Sequence, residues 1–394
     1  MNHNTVPPRT GYYDAASCDL ADFAALTGRT VDPATVPHAT DIAQNVPVYD
    51  ASVLELTLAQ PDTRRSLMSE WAFILHSGAG VFVVKRACPD HAAIDQATQV
   101  YTRIIAEERA AGGAGADHFA AAGSNDRIWN SLQKLALASP ATFIRYFASP
   151  VIDAACEAWL GPNYQMTAQI NLVHPGGEAQ QAHRDYHLGF QTAETSATYP
   201  AHVHDLSPLM TLQGGIAHCD MPIEAGPTKL LPFSQDYRPG YVAWRRADFR
   251  AHFDAHFVQL PLAKGDAIFF NPALFHAAGT NSSTDIHRMV NLLQVSSAFG
   301  RAMESVDRAL ICNALFPDLC AATVAGRLAG KALDAVLAAS AEGYSFPTNL
   351  DRDPPVGGLA PKTQQALLRQ AVLENWPAQK LSDALEALAA RQRP

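Results

Sequence analysis

His183, Arg184 and Asp185 stand together in the chain, and His276 and Arg288 follow well downstream. Two neutral imidazoles and one carboxylate can occupy one face of an octahedral metal and leave the other face open, the arrangement associated with non-haem iron(II) oxygenases. The open positions suit a bidentate 2-oxo acid and dioxygen. Side chains two apart on a strand point the same way, so His183 and Asp185 can face one ion while Arg184 faces elsewhere. If the strand continues, His187 joins that face. Three residues of one strand cannot wrap a metal, so the third ligand must arrive from a distant strand, and the interval before His276 has room for several. A sheet rolled into a barrel brings such positions together.

Charge gives Arg288 a role. Iron(II) with one aspartate carries one net positive charge, and a bound 2-oxoglutarate dianion leaves the site net negative, so a nearby cation is needed where water is excluded. A guanidinium grips a carboxylate with two parallel charge-assisted hydrogen bonds. The run from Arg288 to Val295 reads as a strand that Arg288 opens; an ordinary strand-end arginine on the surface is the other reading.

A second H-x-D, His218-Cys219-Asp220, also precedes His276 at a workable distance. It leads into a turn-forming stretch with two prolines, Met221 to Pro227, and so reads as a strand entering a loop. The first motif follows a Pro175-Gly176-Gly177 turn and precedes aromatic residues that could wall a pocket. His183 and Asp185 are preferred, with His218 and Asp220 kept as the alternative pair.

Taken in order, these residues resemble the phytanoyl-CoA dioxygenase-like family of iron(II)/2-oxoglutarate oxygenases. The resemblance covers residues 160 to 300. It rests on His183-Arg184-Asp185-Tyr186, the stretch Glu224 to Ser234, Lys264-Gly265-Asp266 with Phe269, His276, Asn281-Ser282 and Arg288. It implies that His183, Asp185 and His276 hold Fe(II), that Arg288 binds 2-oxoglutarate, and that O2 is the oxidant. Gln180 could hydrogen-bond 2-oxoglutarate, as similarly placed glutamines do in some relatives. The chain departs from the family at Phe233-Ser234-Gln235, where Gly-Ser-His is common.

Hydroxylation of an unactivated C–H bond of a small polar molecule, with release of succinate and CO2, is the reaction implied by default. Desaturation, cyclisation and epimerisation use the same centre and stay open. Halogenation does not, because related halogenases replace the carboxylate by a small residue and Asp185 is present. A non-catalytic barrel that binds a metal or ligand is the alternative of another class, though such a module has no need of Arg288.

The elements that must position these groups follow from periodicity. Gln165 to Leu172 alternates polar and apolar, the signature of a half-buried strand; if its polar face looks inward, Thr167, Gln169 and Asn171 line the pocket, with Gln169 and Asn171 candidates for the cosubstrate. Lys264-Gly265-Asp266 reads as a tight corner feeding the apolar strand Ala267 to Phe270, and Gly80 to Lys85 as a strand that could join the barrel's outer sheet. Candidate substrate residues are Tyr186, His187 and Trp129, with Phe190, His202 and His204 as further pocket candidates. Arg238, Arg245, Arg246 and Arg250 could grip an anion, although charge runs are more often solvated faces.

Four parts are expected. Residues 1–60 form an N-terminal extension with little regular structure. Residues 61–160 are a mostly helical segment supporting the barrel, with a helix from Ala92 to Ala110 stopped at Gly112-Gly113. Residues 161–300 are the catalytic core, and residues 301–394 a helical region with an alanine-rich run from Ala321 to Ala339 and final helices near Gln364–Glu374 and Leu381–Ala390. The expected class is α+β with a mainly β core: a double-stranded β-helix (jelly-roll, cupin-like) barrel flanked by N-terminal and C-terminal helices. The C-terminal helices are expected to pack against the outside of the sheet, with a homodimer interface as the other possibility.

At 394 residues, with 48% hydrophobic and 17% charged content, the chain can bury a large core. A formal charge of −9 argues against nucleic acid, which demands basic surfaces, and disfavours a long polyanionic thioester as substrate. No stretch approaches the roughly 18 uninterrupted apolar residues of a membrane span. Met1-Asn2-His3-Asn4 lacks the pattern of a secretion signal, so a cytoplasmic protein is expected. The six cysteines include no C-x-x-C pair and are expected to be reduced and buried.

Overall fold

The period-two alternation read from Gln165 to Leu172 recurs in strand after strand, and it separates a cavity from the main apolar core. The computed structural model describes residues 11–111 and 124–394. Among them lie strands β1 (Asp41–Ala43), β2 (Val46–Asp50), β3 (Val81–Lys85), β4 (Asn125–Ile128), β5 (Gln165–Val173), β6 (Thr211–Ala217), β7 (Lys229–Leu230), β8 (Ala267–Phe270), β9 (His276–Ala277) and β10 (Arg288–Ser296). Eight of them form one sheet in the order β1-β2-β3-β8-β6-β10-β5-β4, and β7 pairs with β9 apart from it. Every neighbouring pair is antiparallel except β2 with β3. With fifteen α-helices among the described residues, the architecture is mixed, with a large, mainly antiparallel sheet.

Strand β10 shows how the faces divide. Arg288, Val290, Leu292 and Gln294 line a cavity of roughly 600 Å³, whereas Met289, Leu293 and Val295 are buried in the core on the opposite face. Its register sets Leu292 opposite Gln169 of β5 and Gly215 of β6. On β5 the polar face does look inward: Gln169 and Asn171 line the cavity. Thr167, buried on the same face, instead donates its hydroxyl to the Gln294 carbonyl at 2.7 Å. On β6 a Cβ on Gly214 would meet the Phe269 ring at 2.9 Å, so only glycine lets β8 and β6 pack this closely.

Helices cover the sheet face turned away from the cavity. Trp71, Tyr101, Phe143 and Leu315 are fully buried there, each such side chain contributing about 1.5–3 kcal/mol of apolar burial. The helix His91–Ala110 starts where Asp90 caps the Ala93 N–H at 3.0 Å, close to its expected span; its expected stop, Gly112-Gly113, lies outside the described residues. The helix Gly330–Ser340 packs on β5, and buried Arg308 ties the tail to the sheet by donating to the carbonyls of Ala339 (2.8 Å) and Met166. The final helices run Gln364–Leu373 and Ala378–Gln392.

Two expectations are corrected. The described part of the first 60 residues is not irregular: it holds the helices Leu20–Thr27 and Ala51–Ala59, and β1 and β2, which extend the main sheet beyond β3. Pro47 concealed β2 from a strand reading, and it is tolerated because its partner is the three-residue edge strand β1. The run Ala321 to Ala339 is two helices, Arg308–Val324 and Gly330–Ser340. Gly326 takes φ +68° and its N–H closes on Thr323 O, while the Arg327 N–H closes on Ala322 O, a glycine stop that overrides alanine propensity.

Candidate metal centre

His183 and His276 face each other across a backbone bridge, His183 N–H donating to His276 O at 3.0 Å and His276 N–H to His183 O at 3.2 Å. The two ring centroids are 4.4 Å apart. Asp185 is held by its own N–H donating to Pro272 O at 2.9 Å. One ligand atom from each of His183, Asp185 and His276 lies within 4.8 Å of the others, a grouping able to hold a metal ion.

The side chains are pre-set for that task. A carbonyl can only accept, so the 2.8 Å contacts from His183 Nδ1 to Gln181 O and from His276 Nδ1 to Leu274 O put the proton on Nδ1 and leave each Nε2 lone pair free. Those nitrogens stand 3.8 Å and 3.5 Å from the Asp185 carboxylate. Gln213, from β6, donates its side-chain amide to Asp185 Oδ2 at 2.6 Å and orients the carboxylate. Burial opposes the charged form of Asp185, but the two imidazoles, attractive when protonated, and Gln213 outweigh it and hold the carboxyl well below the usual range. Burial, with His276 beside it, pushes the His183 pKa down. Neutral imidazoles and an ionised carboxylate are the forms a metal requires.

Arg288 opens β10, buried in the cavity wall. Its Nη1 donates to the carbonyls of Ala225 and Gly279, both at 3.2 Å, and burial lowers its pKa to about 10. Ala225 belongs to the proline-flanked turn singled out in the sequence. There Gly226, at φ +71°, lies so close to Thr280 that a Cβ would meet its carbonyl oxygen at 2.2 Å. Arg184 faces away from the triad: it lies between the Tyr241 and Phe275 rings and donates to the carbonyls of Ser234 (2.5 Å) and Tyr237 (2.9 Å).

Gln180 lines the cavity with its side-chain oxygen accepting from Ala278 N–H at 3.4 Å, which leaves its NH2 to donate. Trp129 and Phe190 also line the cavity. His187 does not join the triad face, because the chain turns out of strand geometry straight after Asp185, with φ +61° at Tyr186 and +42° at His187. His187 is exposed, 3.3 Å from Ser207 Oγ. Such backbone is costly for residues with a Cβ, at about 1–3 kcal/mol each. The Tyr186 hydroxyl meets the side chain of Gln294, which itself lines the cavity. His202 is exposed, and buried His204 bonds to Ser196 O at 2.9 Å; neither lines the cavity.

Lys264-Gly265-Asp266 is turn chemistry: Gly265 takes φ +87°, and the Asp266 carboxylate accepts from Arg86 N–H and Ala263 N–H. His218 and Asp220 are structural as well. His218 is buried with its two ring nitrogens 2.8 Å from Thr98 Oγ1 and 2.7 Å from Tyr146 Oη, and Asp220 accepts from Lys264 N–H at 2.9 Å. Burial drives the His218 pKa down to about 3. The unfolded chain therefore binds a proton at His218 near the ordinary value of 6.5 that the folded chain refuses until about 3. Stability should fall as pH drops through that window, by up to about 1.4 kcal/mol per pH unit from this residue. Urea midpoints of the wild type and His218→Gln between those limits test it; parallel pH profiles would dismiss the assignment.

Sequence reasoning missed Gln213, Gln294, Arg127 and Trp244. Arg127 donates to Gln169 Oε1 at 3.0 Å, and the Trp244 ring centroid is 6.4 Å from that of His183. Gln294 shares the alternating face of β10 with Arg288, a signal that could have found it; the others carry no spacing signal, because each reaches the site through strand neighbours or a loop distant in sequence.

A sheet-walled cavity carrying two histidines, an aspartate and a buried arginine defines an enzyme of the non-haem iron type. The phytanoyl-CoA dioxygenase family model matches residues 77–290, more than half of the chain, and the chain belongs to that family. It is an iron(II)/2-oxoglutarate-dependent oxygenase-type enzyme, with iron as cofactor and 2-oxoglutarate as cosubstrate. The match begins well upstream of residue 160 and takes in β3 and much of the helical segment. No curated protein matches the sequence. Among solved structures, the non-haem α-ketoglutarate-dependent epimerase SnoN from nogalamycin biosynthesis is 20% identical, with 61% of this chain and 85% of that chain covered at a TM-score of 0.39. The same epimerase in complex with Fe3+, α-ketoglutarate and nogalamycin RO is 18% identical, with 64% and 90% covered at a TM-score of 0.40. Among the described residues no helix is long and apolar enough to cross a membrane.

Proposed function

We propose that His183, Asp185 and His276 hold the iron, that Arg288 binds the distal carboxylate of 2-oxoglutarate, and that the enzyme hydroxylates an unactivated C–H bond of a small polar molecule, releasing succinate and CO2. The observation that carries this reading is the single cavity containing both the three-residue cluster and Arg288. Bound iron supplies activation of dioxygen through oxidative decarboxylation of the 2-oxo acid.

The chain supplies the rest. Gln213 keeps the Asp185 carboxylate aimed, and the Gln181 and Leu274 carbonyls keep both imidazoles in one tautomer. Arg288 neutralises a carboxylate in a wall that excludes water, and the free NH2 of Gln180 is a second donor for the cosubstrate. Gln169 and Asn171 present polar groups on the same wall; Gln169 also accepts from Arg127, so it is partly committed. Trp129 is the candidate substrate contact, with Tyr186 acting through Gln294.

The main sheet, together with the separate β7–β9 sheet to which His183 adds a bridge at His276, supports reading residues 161–300 as a double-stranded β-helix core, with residues 61–160 and 301–394 as its helical support and residues 1–60 as an extension. A substrate screen in the presence of 18O2 tests the reaction. Hydroxylation gives a product heavier by one labelled oxygen with stoichiometric succinate. A product lacking two hydrogens, or one of unchanged mass, would replace it by desaturation or cyclisation, or by epimerisation.

A further inference from the structure

The cavity is lined by five arginines, Arg127, Arg184, Arg245, Arg250 and Arg288, and among the described residues by a single carboxylate, Asp185. Three of the five have occupations. Arg184 is spent on backbone carbonyls, Arg127 on Gln169, and Arg288, on the reading above, on the cosubstrate. Iron(II), Asp185, a 2-oxoglutarate dianion and Arg288 then sum to no net charge. Arg245 and Arg250 remain in excess.

Their neighbours in sequence show what this chain does when it means to neutralise an arginine. Arg238 is forked onto Asp205, with Nε to Oδ1 at 2.8 Å, and Arg246 onto Asp248 at 3.1 and 2.6 Å. Among the described residues no such carboxylate is forked onto Arg245 or Arg250. Arg245 has one long contact to Gly189 O at 3.4 Å and feels the charge of Glu194, which sits on the exposed side. Arg245 Nη1 and Arg250 Nε are buried with no hydrogen-bond partner. The two guanidiniums are near enough to repel each other, and both lie against one indole, 3.8 Å and 5.7 Å from the Trp244 centroid. Two like charges with buried unmet donors beside one indole are costly unless an anion meets them.

We propose that Arg245 and Arg250, set on Trp244, form an oxyanion clamp that holds a carboxylate or phosphate group of the substrate beside the iron site. The substrate class is then a small anionic molecule whose remainder lies along the apolar wall of Phe190, Ile268 and Leu292. This deepens the function proposed above and rests on it.

Calorimetric titration of the iron(II)-loaded protein, anaerobic and with saturating 2-oxoglutarate so that Arg288 is occupied, tests the clamp. The probes are phenylacetate against phenylacetamide, and phenyl phosphate against benzyl alcohol. The anion of at least one pair should bind roughly tenfold or more tightly than its neutral partner, and R245Q and R250Q should each remove most of that advantage while leaving the neutral probe unchanged. Which pair discriminates identifies carboxylate or phosphate. Neutral probes that bind as tightly, an advantage that survives both variants, or no anion binding at millimolar concentration would each overturn the clamp. The visible band of iron-bound 2-oxoglutarate, read in the same samples, separates the two claims. A normal band without anion selectivity sinks the clamp alone; no band, with anion selectivity lost in R245Q and R250Q, sinks the oxygenase assignment and leaves the clamp standing.

Discussion

Asp185→Ala should leave a folded protein that no longer retains iron(II) and forms no succinate. Asp185 is the one anionic group in the cluster, so its loss leaves two neutral imidazoles to hold a dication. Disturbing a residue that merely orients a metal ligand costs about 10–100-fold in affinity, so removing the ligand itself should weaken iron binding by at least about a hundredfold. The fold should survive, because Asp185 is a half-buried charge whose side chain meets, among the described residues, the two imidazoles and Gln213 and no part of the apolar core. Anaerobic iron titration beside a thermal melt decides the matter. Wild-type iron affinity in the variant would mean that Asp185 is not a ligand and that other residues hold the metal.

Arg288→Gln should give the complementary failure: iron binding intact, 2-oxoglutarate binding lost. The guanidinium belongs to a buried residue of the cavity wall, with Nη1 spent on two carbonyls. A dicarboxylate brought there without a cation leaves one carboxylate buried and unpaired, a penalty of about 3–5 kcal/mol. The KM for 2-oxoglutarate should therefore rise by at least about a hundredfold, with the iron titration curve unmoved. An unchanged KM would release Arg288 from its role and move attention to Gln180 and to Arg127 on β4, which lies beyond β5 in the sheet.

The four residues that carry these two predictions were legible because they obey rules that act along the chain. His183 and Asp185 are two apart, and the order from the first motif through the proline turn to His276 and Arg288 resembles one family. Strands β5, β8 and β10 and the helix after Asp90 were legible for the same reason: period-two alternation, apolar runs and an unbroken helical run are local signals. What could not be read depends on contacts across the fold. Gln213 matters only because β6 runs beside β8 and β10, which brings its amide to Asp185. His187 was misplaced because the chain leaves strand geometry at Tyr186, a turn with no glycine to announce it. Pro47 hid β2, and Gly326 split a run that alanine content alone would have kept whole. The basic stretch was divided not by its own residues but by Asp205 and Asp248, which neutralise Arg238 and Arg246 and leave Arg245 and Arg250 for the cavity.

The most direct test of the central claim is an anaerobic titration of the metal-free protein, first with iron(II) and then with 2-oxoglutarate, followed in the visible for the charge-transfer band of an iron-bound 2-oxo acid. The account predicts one iron per chain, a band that grows with 2-oxoglutarate to the same stoichiometry, and no band in Asp185→Ala. Confirmed iron uptake by a folded protein with no band at any 2-oxoglutarate concentration would contradict it, and would leave a metal-binding protein without an oxygenase centre.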